Sequence, residues 1–529
     1  MARRRKHWGW GYEDEQPSPR ELGEATRFLA QRLGFGSSEP VQPVPLEAVT
    51  LPAPRLSAPE ALAPICRADP YERTLHAYGR SYRDTVRAFR GRFDHPPDVV
   101  AHPRDESELA AVLDWALDAG AAVIPFGGGT SVVGGVEPDV DPERFAGVVT
   151  IDLKALDRVL EIDPVSQAAR IQAGATGPGL EEQLRVAGLT LRHFPQSFQF
   201  STLGGWIATR ASGHFCTLYT HIDDLVESVR ALTPAGIWAS RRLPGSGAGV
   251  SPDRMLIGSE GTLGVISEAW VRVRERPRFR ASAAVHFPDF DSGAAAVREL
   301  SQSGLYPAAC RLIDPSEAAL TGAGDGSQAL LVLGFESAHH DVHPALATAL
   351  ECCADHGGAG QAAARDGASD AAVGSWRQAF LRAPYLRDTF VAMGVISETF
   401  ETAVTWDRFP DFHRAVLDKT SAAVRDVCGT GSVTCRFTHV YPDGPAPYYT
   451  VLAPAQPGAE LEQWAQIKTA AAQTILTEGG TITHHHAIGR DHRPWYDAQR
   501  PDPFALALRG AKAAVDPKGA LNPGVLIDA

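Results

Sequence analysis

The sequence has few of the features that mark secreted or membrane-spanning proteins. Its 529 residues include seven cysteines, an odd number without paired spacing, so a disulfide framework is not expected. No apolar run reaches the length that a bilayer-spanning helix needs. No apolar segment follows the basic N-terminal residues, as it would in a secretory signal. These absences predict a cytoplasmic protein with reduced thiols.

Positive charge is also scarce. The 50 lysines and arginines are outnumbered by 63 aspartates and glutamates, which gives a formal net charge of -13. A nucleic-acid-binding protein needs a basic surface to displace counterions, so that class is excluded. The one basic run, Arg3–Lys6, is interpreted as a solvated tail, with contact to a membrane surface as the alternative.

The local patterns predict a mixed fold of helices and strands in at least two domains. Repeated prolines over 38–65 favour an extended connector, because proline interrupts helices. Ser107 is predicted to cap a helix whose apolar stripe runs from Leu109 to Leu117. Strands are predicted at 122–124, 148–153, 159–162, 169–172 and 265–273, with a second amphipathic helix around Leu180 and Leu184. A change of rhythm after Arg280 predicts a domain boundary.

Four segments combine glycines with hydroxyl side chains, and the first follows a predicted strand. Glycine lets the backbone approach a phosphate closely, and consecutive N–H groups then form a nest for an anion. The spacing matches neither a Walker loop nor the dinucleotide-binding fingerprint, and each segment alone is more often an ordinary turn. The segments contain Pro125, Phe126, Gly127, Gly128, Gly129, Thr130 and Ser131; then Ser201, Thr202, Gly204 and Gly205; then Thr209, Arg210, Ala211 and Ser212; and finally Glu260, Gly261, Thr262, Leu263, Gly264, Val265 and Ile266.

The candidate reactive residues lie after residue 300. Three consecutive histidines, His484–His486, are uncommon, and in a strand the first and third would share one face. They are candidates for catalysis, with a solvent-exposed polar turn or an adventitious metal site as alternatives. The segments His439–Tyr441 and Tyr448–Tyr449 add aromatic side chains, whose ordinary role is core packing. For Arg408 the ordinary role is a surface ion pair.

In order and wording, these segments resemble the FAD-binding half of the vanillyl-alcohol-oxidase type of flavoenzyme. Within that type, the sequence resembles the alkyldihydroxyacetonephosphate synthase family, which shares the stretch Ser201–Gly213, the histidine triplet and an N-terminal stretch like Trp8–Tyr12. The resemblance implies an α+β fold with four parts, namely an N-terminal wrap over 1–90, an FAD-binding domain over 91–278, a substrate-binding cap domain over 279–490 and a C-terminal segment over 491–529 that returns to the flavin domain.

The resemblance implies FAD as the cofactor, held by the four glycine-rich segments together with Gln196 and Ser197. In some relatives of this type, a histidine near the first loop is bonded covalently to the flavin. Here Thr130 and Ser131 follow the glycines, which predicts non-covalent FAD. Gln196 stands where an acidic residue is usual in the family.

Site residues are carried over from the family by position. The implied residues are Tyr448 as the catalytic tyrosine, Arg408 as a substrate-binding arginine, Arg311 as a further arginine needed for activity, and the triplet His484, His485 and His486. The implied reaction exchanges the acyl group of an acyl-dihydroxyacetone phosphate for a fatty alcohol, and it is redox-neutral through an adduct at flavin N5. A tyrosine can serve as the base only if its pKa of about 10 is lowered or a neighbouring histidine draws off its proton. Because Pro442 and Pro445 shape the preceding loop, Tyr441 or Tyr449 stays an alternative.

The implied partners are lipid-like small molecules. Two long chains need an apolar tunnel, from which peripheral membrane contact of a cytoplasmic protein follows as a hypothesis. A homodimer is also expected, and the alanine- and arginine-rich composition predicts a bacterial gene.

The main alternative is an FAD-linked D-2-hydroxyacid dehydrogenase, which shares the flavin half. Such enzymes typically hold a metal ion with two histidines and a Glu-His pair. Here His439 matches the first histidine, but Tyr448 and His485 stand at two other ligand positions. Loss of the only carboxylate removes most of the charge that holds a divalent ion, so no metal site is predicted. A second alternative is a flavoprotein that binds lipid without turnover, which would not need Tyr448, Arg408 or the histidine triplet.

Overall fold

The computed structural model describes residues 3–362 and 383–528, in which three main sheets and one two-stranded sheet are packed against helices. The helices are α1 (Pro19–Leu33), α2 (Pro70–Leu75), α3 (Tyr82–Phe89), α4 (Glu106–Asp118), α5 (Gly177–Val186), α6 (Leu203–Thr209), α7 (Cys216–Tyr219), α8 (Ile222–Leu225), α9 (Pro252–Leu256), α10 (Phe290–Gln302), α11 (Pro315–Thr321), α12 (His343–Asp355), α13 (Phe409–Cys428), α14 (Glu460–Thr477), α15 (Arg493–Gln499) and α16 (Asp502–Val515). The strands are β1 (Cys66–Arg67), β2 (Val99–Ala101), β3 (Ala122–Phe126), β4 (Val148–Asp152), β5 (Val159–Asp163), β6 (Ala168–Gln172), β7 (Leu189–Thr190), β8 (Val226–Thr233), β9 (Gly236–Ala239), β10 (Val265–Arg272), β11 (Arg274–Glu275), β12 (Phe279–Phe287), β13 (Ala309–Ile313), β14 (Ala329–Ser337), β15 (Ala359–Ala362), β16 (Val395–Glu401), β17 (Ser432–Val440) and β18 (Pro445–Pro454).

The first sheet, of order β1-β2-β4-β3, positions the first glycine-rich loop. Strand β4 lies parallel to both β2 and β3, and Val149 pairs with a residue on each side. Parallel strands covered by helices are continuously apolar, and here the buried side of helix α4 covers them. The glycine-rich loop begins directly at the end of β3, so the loop lies beyond the carboxyl edge of the sheet.

The start of helix α4 differs from the prediction. Asp105 is the capping residue, because its side chain accepts the N–H of Glu108. Ser107 lies inside the first turn, so its predicted capping role is wrong. An aspartate at this position satisfies a free N–H group and also favours the positive end of the helix dipole.

The second sheet is antiparallel, of order β5-β6-β10-β8-β9. Alternate residues of β10, among them Ala269 and Val271, pack against the buried faces of α5 and α6. The predicted strands over 159–162, 169–172 and 265–273 are confirmed to within one residue at each end, and so is the predicted strand over 148–153, which is β4 of the first sheet. Helix α5 includes the predicted Leu180 and Leu184 on its buried side.

The third sheet has seven antiparallel strands in the order β15-β12-β14-β13-β17-β18-β16. Helices α10, α12, α13 and α14 cover one face and form the largest apolar core with it. The opposite face of β16, β17 and β18 carries hydroxyl and ionisable side chains instead. The sheet therefore presents an apolar face to the core and a polar face to the first two sheets.

The N-terminal basic run is not a solvated tail along its whole length. Arg3 and Arg4 are exposed, but Arg5 and Lys6 are buried. Arg5 Nη1 donates to the carbonyl oxygen of Gly128 at 2.7 Å, and Lys6 Nζ lies 3.2 Å from a carboxylate oxygen of Asp388. The solvated-tail interpretation is therefore wrong for these two residues, since each is held by a partner far along the chain.

The proline-rich stretch and the C-terminal segment both pack against the first sheet. The proline-rich stretch 38–65 is extended apart from short 3-10 turns at Leu46–Ala48 and Glu60–Ile65, which confirms the predicted connector. Near the C-terminus, the N–H of Asn522 donates to Val123 at 2.8 Å, and its amide donates to the carbonyl of Glu260 at 2.7 Å. Among the described residues, no helix is both long and apolar enough to cross a membrane.

Candidate active site

A cavity of about 670 Å³ lies between the glycine-rich loops and the polar face of the seven-stranded sheet. Its lining is of three kinds. The loops contribute backbone and hydroxyl groups, the sheet contributes ionisable side chains, and helix α1 contributes apolar side chains. A cavity that joins these three kinds of surface suits an amphipathic ligand beside a polar cofactor.

The first glycine-rich loop has the geometry of a cofactor cradle. A β-carbon on Gly127 would lie 2.3 Å from the hydroxyl of Thr202, and one on Gly128 would lie 2.0 Å from the carbonyl oxygen of Phe200. Gly129 adopts φ +64°, a left-handed conformation that favours glycine. Side chains are therefore excluded at all three positions, and the loop offers only backbone to a phosphate. The residues present fit the diphosphate of FAD.

Most of the predicted cofactor residues line this cavity. They are Gly127, Gly128, Gly129, Thr130, Ser131, Gln196, Ser197, Ser201, Thr202, Gly205, Thr209, Ala211 and Ser212. The others lie behind the lining. Pro125 and Phe126 belong to β3, Gly204 packs closely on Ala173, and Arg210 forms an ion pair with Asp223 at 2.7 Å.

The last predicted cofactor segment, Glu260–Ile266, reaches the cavity indirectly. Its Glu260 side chain accepts the N–H groups of Ile488 and Gly489, both at 2.8 Å. Burial raises the pKa of Glu260 to about 7. Because Ile488 and Gly489 follow the histidine triplet, this contact joins the flavin half of the molecule to the histidine loop.

Tyr448 lies in the middle of a row of three side chains that crosses β17, β18 and β16. Arg436 stands opposite it on one neighbouring strand and Glu401 on the other, and opposite residues of antiparallel strands share a face. The guanidinium carbon of Arg436 lies 4.0 Å from the centroid of the Tyr448 ring. Arg436 is held in place by Glu317, with Nη1 and Oε1 2.5 Å apart. The row thus fixes a cation over the face of the tyrosine.

The three candidate tyrosines have different surroundings. Tyr448 lines the cavity. Tyr449 points into the core on the other face of the sheet, where its hydroxyl bonds His413 Nδ1 at 3.0 Å. Tyr441 does not line the cavity, and its hydroxyl bonds His484 Nε2 at 2.8 Å. Among these three, the structure brings Tyr448 alone to the cavity.

The histidine triplet lies in a loop, so the alternation of faces expected for a strand does not occur. The loop wraps around the buried carboxylate of Glu401. That carboxylate accepts the N–H of His484 at 2.7 Å, of His485 at 3.1 Å and of His486 at 2.9 Å, and it accepts the hydroxyl of Thr483 as well. Three successive N–H groups therefore point at one acid, and Nδ1 of His485 also lies 3.3 Å from Glu401 Oε2. His485 and His486 line the cavity.

Burial sets the charge of this loop. It lowers the pKa of His484 to about 3 and takes the pKa of His486 well below its ordinary value. Burial alone would raise the pKa of Glu401, but the neighbouring His485 and His486 hold it well below its usual range. Glu401 is therefore an anion, and His486 is a neutral ring.

The two arginines predicted for the site have different positions. Arg311 is fully buried on β13, and its Nη2 donates to the carbonyl oxygen of His214 at 3.2 Å. Arg408 is exposed at the start of α13, and its Nη2 donates to the carbonyl oxygen of Glu478 at 2.6 Å. Arg408 does not line the cavity, so the structure does not bring it together with Tyr448.

Sequence reasoning missed four arginines that line the cavity, namely Arg32 on helix α1, Arg80, Arg387 and Arg436. Arg436 had a detectable signal, because polar residues alternate with apolar ones along β17 and it shares a face with Thr434. Arg80 had none, since its N–H reaches the carbonyl of Ser131 at 2.6 Å only after folding. Arg387 likewise donates to the carbonyl of Arg80, a contact that no local pattern reveals.

The apolar part of the cavity is built around helix α1. Ser18 caps this helix in a reciprocal pair with Glu21. Its residues Leu29 and Leu33 pack with apolar side chains that come after residue 300 in the sequence. The members of this apolar cluster that also line the cavity are Leu29, Leu33, Leu320, Phe390 and Leu452. Such a surface offers room for a hydrocarbon chain.

The chain matches two protein families. One is described as an FAD binding domain and matches residues 97–240, and the other is described as the C-terminal domain of FAD linked oxidases and matches residues 276–526. At 13% identity, p-cresol methylhydroxylase has the same fold with a TM-score of 0.68. The fold and site therefore define an FAD-linked enzyme with a fold of the vanillyl-alcohol-oxidase type.

Closer relatives narrow this class. An alkyldihydroxyacetonephosphate synthase of Caenorhabditis elegans is 30% identical, covering 98% of this chain and 94% of that protein. One of Trypanosoma brucei brucei is also 30% identical, covering 87% of this chain and 78% of that protein. A solved alkyldihydroxyacetonephosphate synthase structure superposes with a TM-score of 0.81 at 26% identity and covers 98% of each chain. The chain belongs to the alkyldihydroxyacetonephosphate synthase family.

Proposed function

We propose that this protein is an FAD-dependent synthase that exchanges the acyl group of an acyl-dihydroxyacetone phosphate for a fatty alcohol, and so forms the ether bond of an ether lipid. The position of Tyr448 carries the proposal. Its ring faces a cavity that has the cofactor cradle and the apolar surface of α1 in its walls. A base placed between a flavin and a hydrocarbon channel is what this exchange needs. Membership of the family supports the same function.

Arg387 is the proposed ligand of the substrate phosphate. It lines the cavity, and among the described residues it bonds only neutral oxygens, the carbonyl of Arg80 and the hydroxyl of Thr399. Its neighbour Asp388 is already paired with Lys6. The planar fork of a guanidinium suits a phosphate dianion. Arg436, in contrast, is neutralised by Glu317 and serves to support Tyr448.

Tyr448 is the proposed acceptor of the proton from the carbon that bears the ester. Its ring centroid lies 5.5 Å from that of His486 and 6.2 Å from that of His485. As a neutral ring, His486 can accept a hydrogen bond from the phenolic hydroxyl. When bound in the cradle, FAD supplies the electrophilic ring at which the groups are exchanged without net oxidation.

The acyl and alkyl chains are proposed to lie along the apolar side chains of α1. Phe28, on the same helix, lines the cavity and is 60% exposed, which carries the apolar lining outwards to the protein surface. Peripheral contact of this helix with a membrane is proposed on that ground, and vesicle flotation tests it.

The homodimer stays a prediction, which sedimentation velocity tests.

The function is tested with the purified yellow holoenzyme, without any electron acceptor. It would receive palmitoyl-dihydroxyacetone phosphate and isotope-labelled hexadecanol, with omission of the acyl substrate as the control. We expect a labelled alkyl product by mass spectrometry. If no ether forms while D-2-hydroxyacids bleach the bound flavin, the synthase proposal is wrong and the dehydrogenase alternative holds.

A further inference from the structure

Three imidazole rings meet beside Glu401. His439 on β17 and the loop residues His484 and His485 each offer a ring nitrogen, and these nitrogens all lie within 4.8 Å of one another. The ring centroids are 5.0 Å apart for His439 and His484, 4.9 Å for His439 and His485, and 5.3 Å for His484 and His485. The three rings thus form a nearly equilateral cluster.

We propose that the protein binds a divalent transition-metal ion, zinc, through His439, His484 and His485. Zinc–nitrogen bonds of about 2.0–2.1 Å in a tetrahedral set place the ligand nitrogens about 3.3 Å apart and the ring centroids about 5.2 Å apart. The Nδ1 atoms of His484 and His485 are 3.1 Å apart, and all three centroid distances are close to the value for zinc. Three histidines with a fourth position left open also form a common zinc ligand set.

The hydrogen bonds around the rings favour a ligand at their centre. His439 is buried, and its Nδ1 has no hydrogen-bond partner among the described residues. Burial of an unpaired polar atom is unfavourable, and a metal ion would satisfy it. On His484 the outer nitrogen, Nε2, bonds the hydroxyl of Tyr441 at 2.8 Å. When the nitrogen of a ligand histidine that faces away from the metal is hydrogen-bonded to an oxygen atom, that bond fixes the tautomer and the orientation of the ring.

A carboxylate also lies beside the cluster. Glu401 Oε2 is 3.3 Å from His485 Nδ1, and the Glu401 side chain is fully buried. It supplies negative charge that stabilises a divalent ion. The sequence-based prediction of no metal site rests on the loss of two expected ligands, one of which is the only carboxylate. Glu401 comes from the distant strand β16, so the sequence pattern could not show it.

The proposed ion leaves the reactive residues in place. His486 is not a member of the cluster and remains beside Tyr448 on the cavity wall. The ion would instead fix the rings of His484 and His485, and with them the path of the loop. The proposal does not rest on the synthase function, because its test measures metal content and affinity.

The test uses the tag-free holoenzyme, dialysed and analysed for metals by mass spectrometry. We expect about one zinc ion per chain. After removal of zinc with a chelator, titration with cobalt should give the visible absorption of a tetrahedral site. His439→Gln and Tyr441→Phe should each weaken zinc affinity by about tenfold or more, and Tyr441→Phe removes only a hydroxyl group. His343→Gln is the matched control, because the His343 side chain is 40% exposed and lies outside the cluster.

Bound flavin and the melting temperature report whether each variant is folded. Stoichiometric zinc that is lost in His439→Gln and kept in His343→Gln supports the site. The proposal is overturned if the wild-type holoenzyme neither retains nor takes up one equivalent of zinc. It is also overturned if the control loses zinc as fully as His439→Gln, since surface histidines would then be the ligands.

Discussion

The two faces of the seven-stranded sheet perform different tasks although the same strands form both. On the core face, Tyr449 stacks on Phe400 with ring centroids 5.0 Å apart and bonds His413. On the cavity face, its neighbour Tyr448 lies under Arg436 and beside His486. Successive side chains of a strand point to opposite faces. One peptide bond therefore separates a residue placed for stability from a residue placed for chemistry.

The contrast extends to strand β16. Ile396 and Phe400 belong to the core, whereas Ser397 and Thr399 line the cavity and Glu401 holds the histidine loop. Substitutions on one face should therefore change catalysis, and substitutions on the other should change the free energy of unfolding.

The largest effect is expected for Tyr448→Phe. Loss of the phenolic hydroxyl should lower turnover by about 10²–10⁴-fold, the range for removal of a general base. The FAD spectrum and the unfolding midpoint should stay as in the wild type, because the aromatic ring is kept. Ether-forming turnover at the wild-type rate would remove Tyr448 from the mechanism.

Glu401→Gln should lower the free energy of unfolding, although Glu401 lies on the cavity face. The amide cannot accept three N–H groups and a hydroxyl as the carboxylate does, so a stability loss of about 1–3 kcal/mol is expected. Because the folded-state pKa of Glu401 is depressed, its ionisation stabilises the fold above about pH 4.3, and this stabilisation is lost as pH falls through the folded value. Urea unfolding across that range should be less pH-dependent in the variant. An unchanged pH profile would contradict the anionic Glu401.

Leu29→Trp should change substrate preference on the cavity side. The larger side chain narrows the apolar part of the cavity, so the KM for hexadecanol should rise by about tenfold while short alcohols are less affected. Phe28→Ala is a useful comparison, since it widens the same lining. Equal effects on long and short alcohols would mean that the alkyl chain does not bind in this part of the cavity.

The smallest effect is expected for Tyr449→Phe. It removes one buried hydrogen bond to His413 and should cost about 1 kcal/mol of stability. Turnover should be unchanged. A loss of turnover with FAD still bound would mean that the two faces are not separate in function.

What the sequence could predict depended on how local each feature is. The loop Gly127–Gly129 is predictable because its glycines are adjacent, and local patterns predict three of the five strands of the second sheet, β5, β6 and β10. Glu401 and Arg436 acquire their places only through strand register, which brings both opposite Tyr448. Arg408 was assigned to the substrate by position in the family, but the structure places it on the surface.

Buried charge was the other feature that composition could not reveal. Arg5 and Lys6 look like part of a basic tail, yet they are buried against Gly128 and Asp388. Both contacts join residues more than a hundred positions apart, so no local pattern could indicate them.

The separation of the two faces is tested most directly by running the labelled-hexadecanol assay on the wild type, Tyr448→Phe and Tyr449→Phe, each loaded with FAD and without an electron acceptor. We expect labelled alkyl product from the wild type and from Tyr449→Phe, and none above background from Tyr448→Phe. Equal product from all three proteins, or product lost only in Tyr449→Phe, would contradict the account.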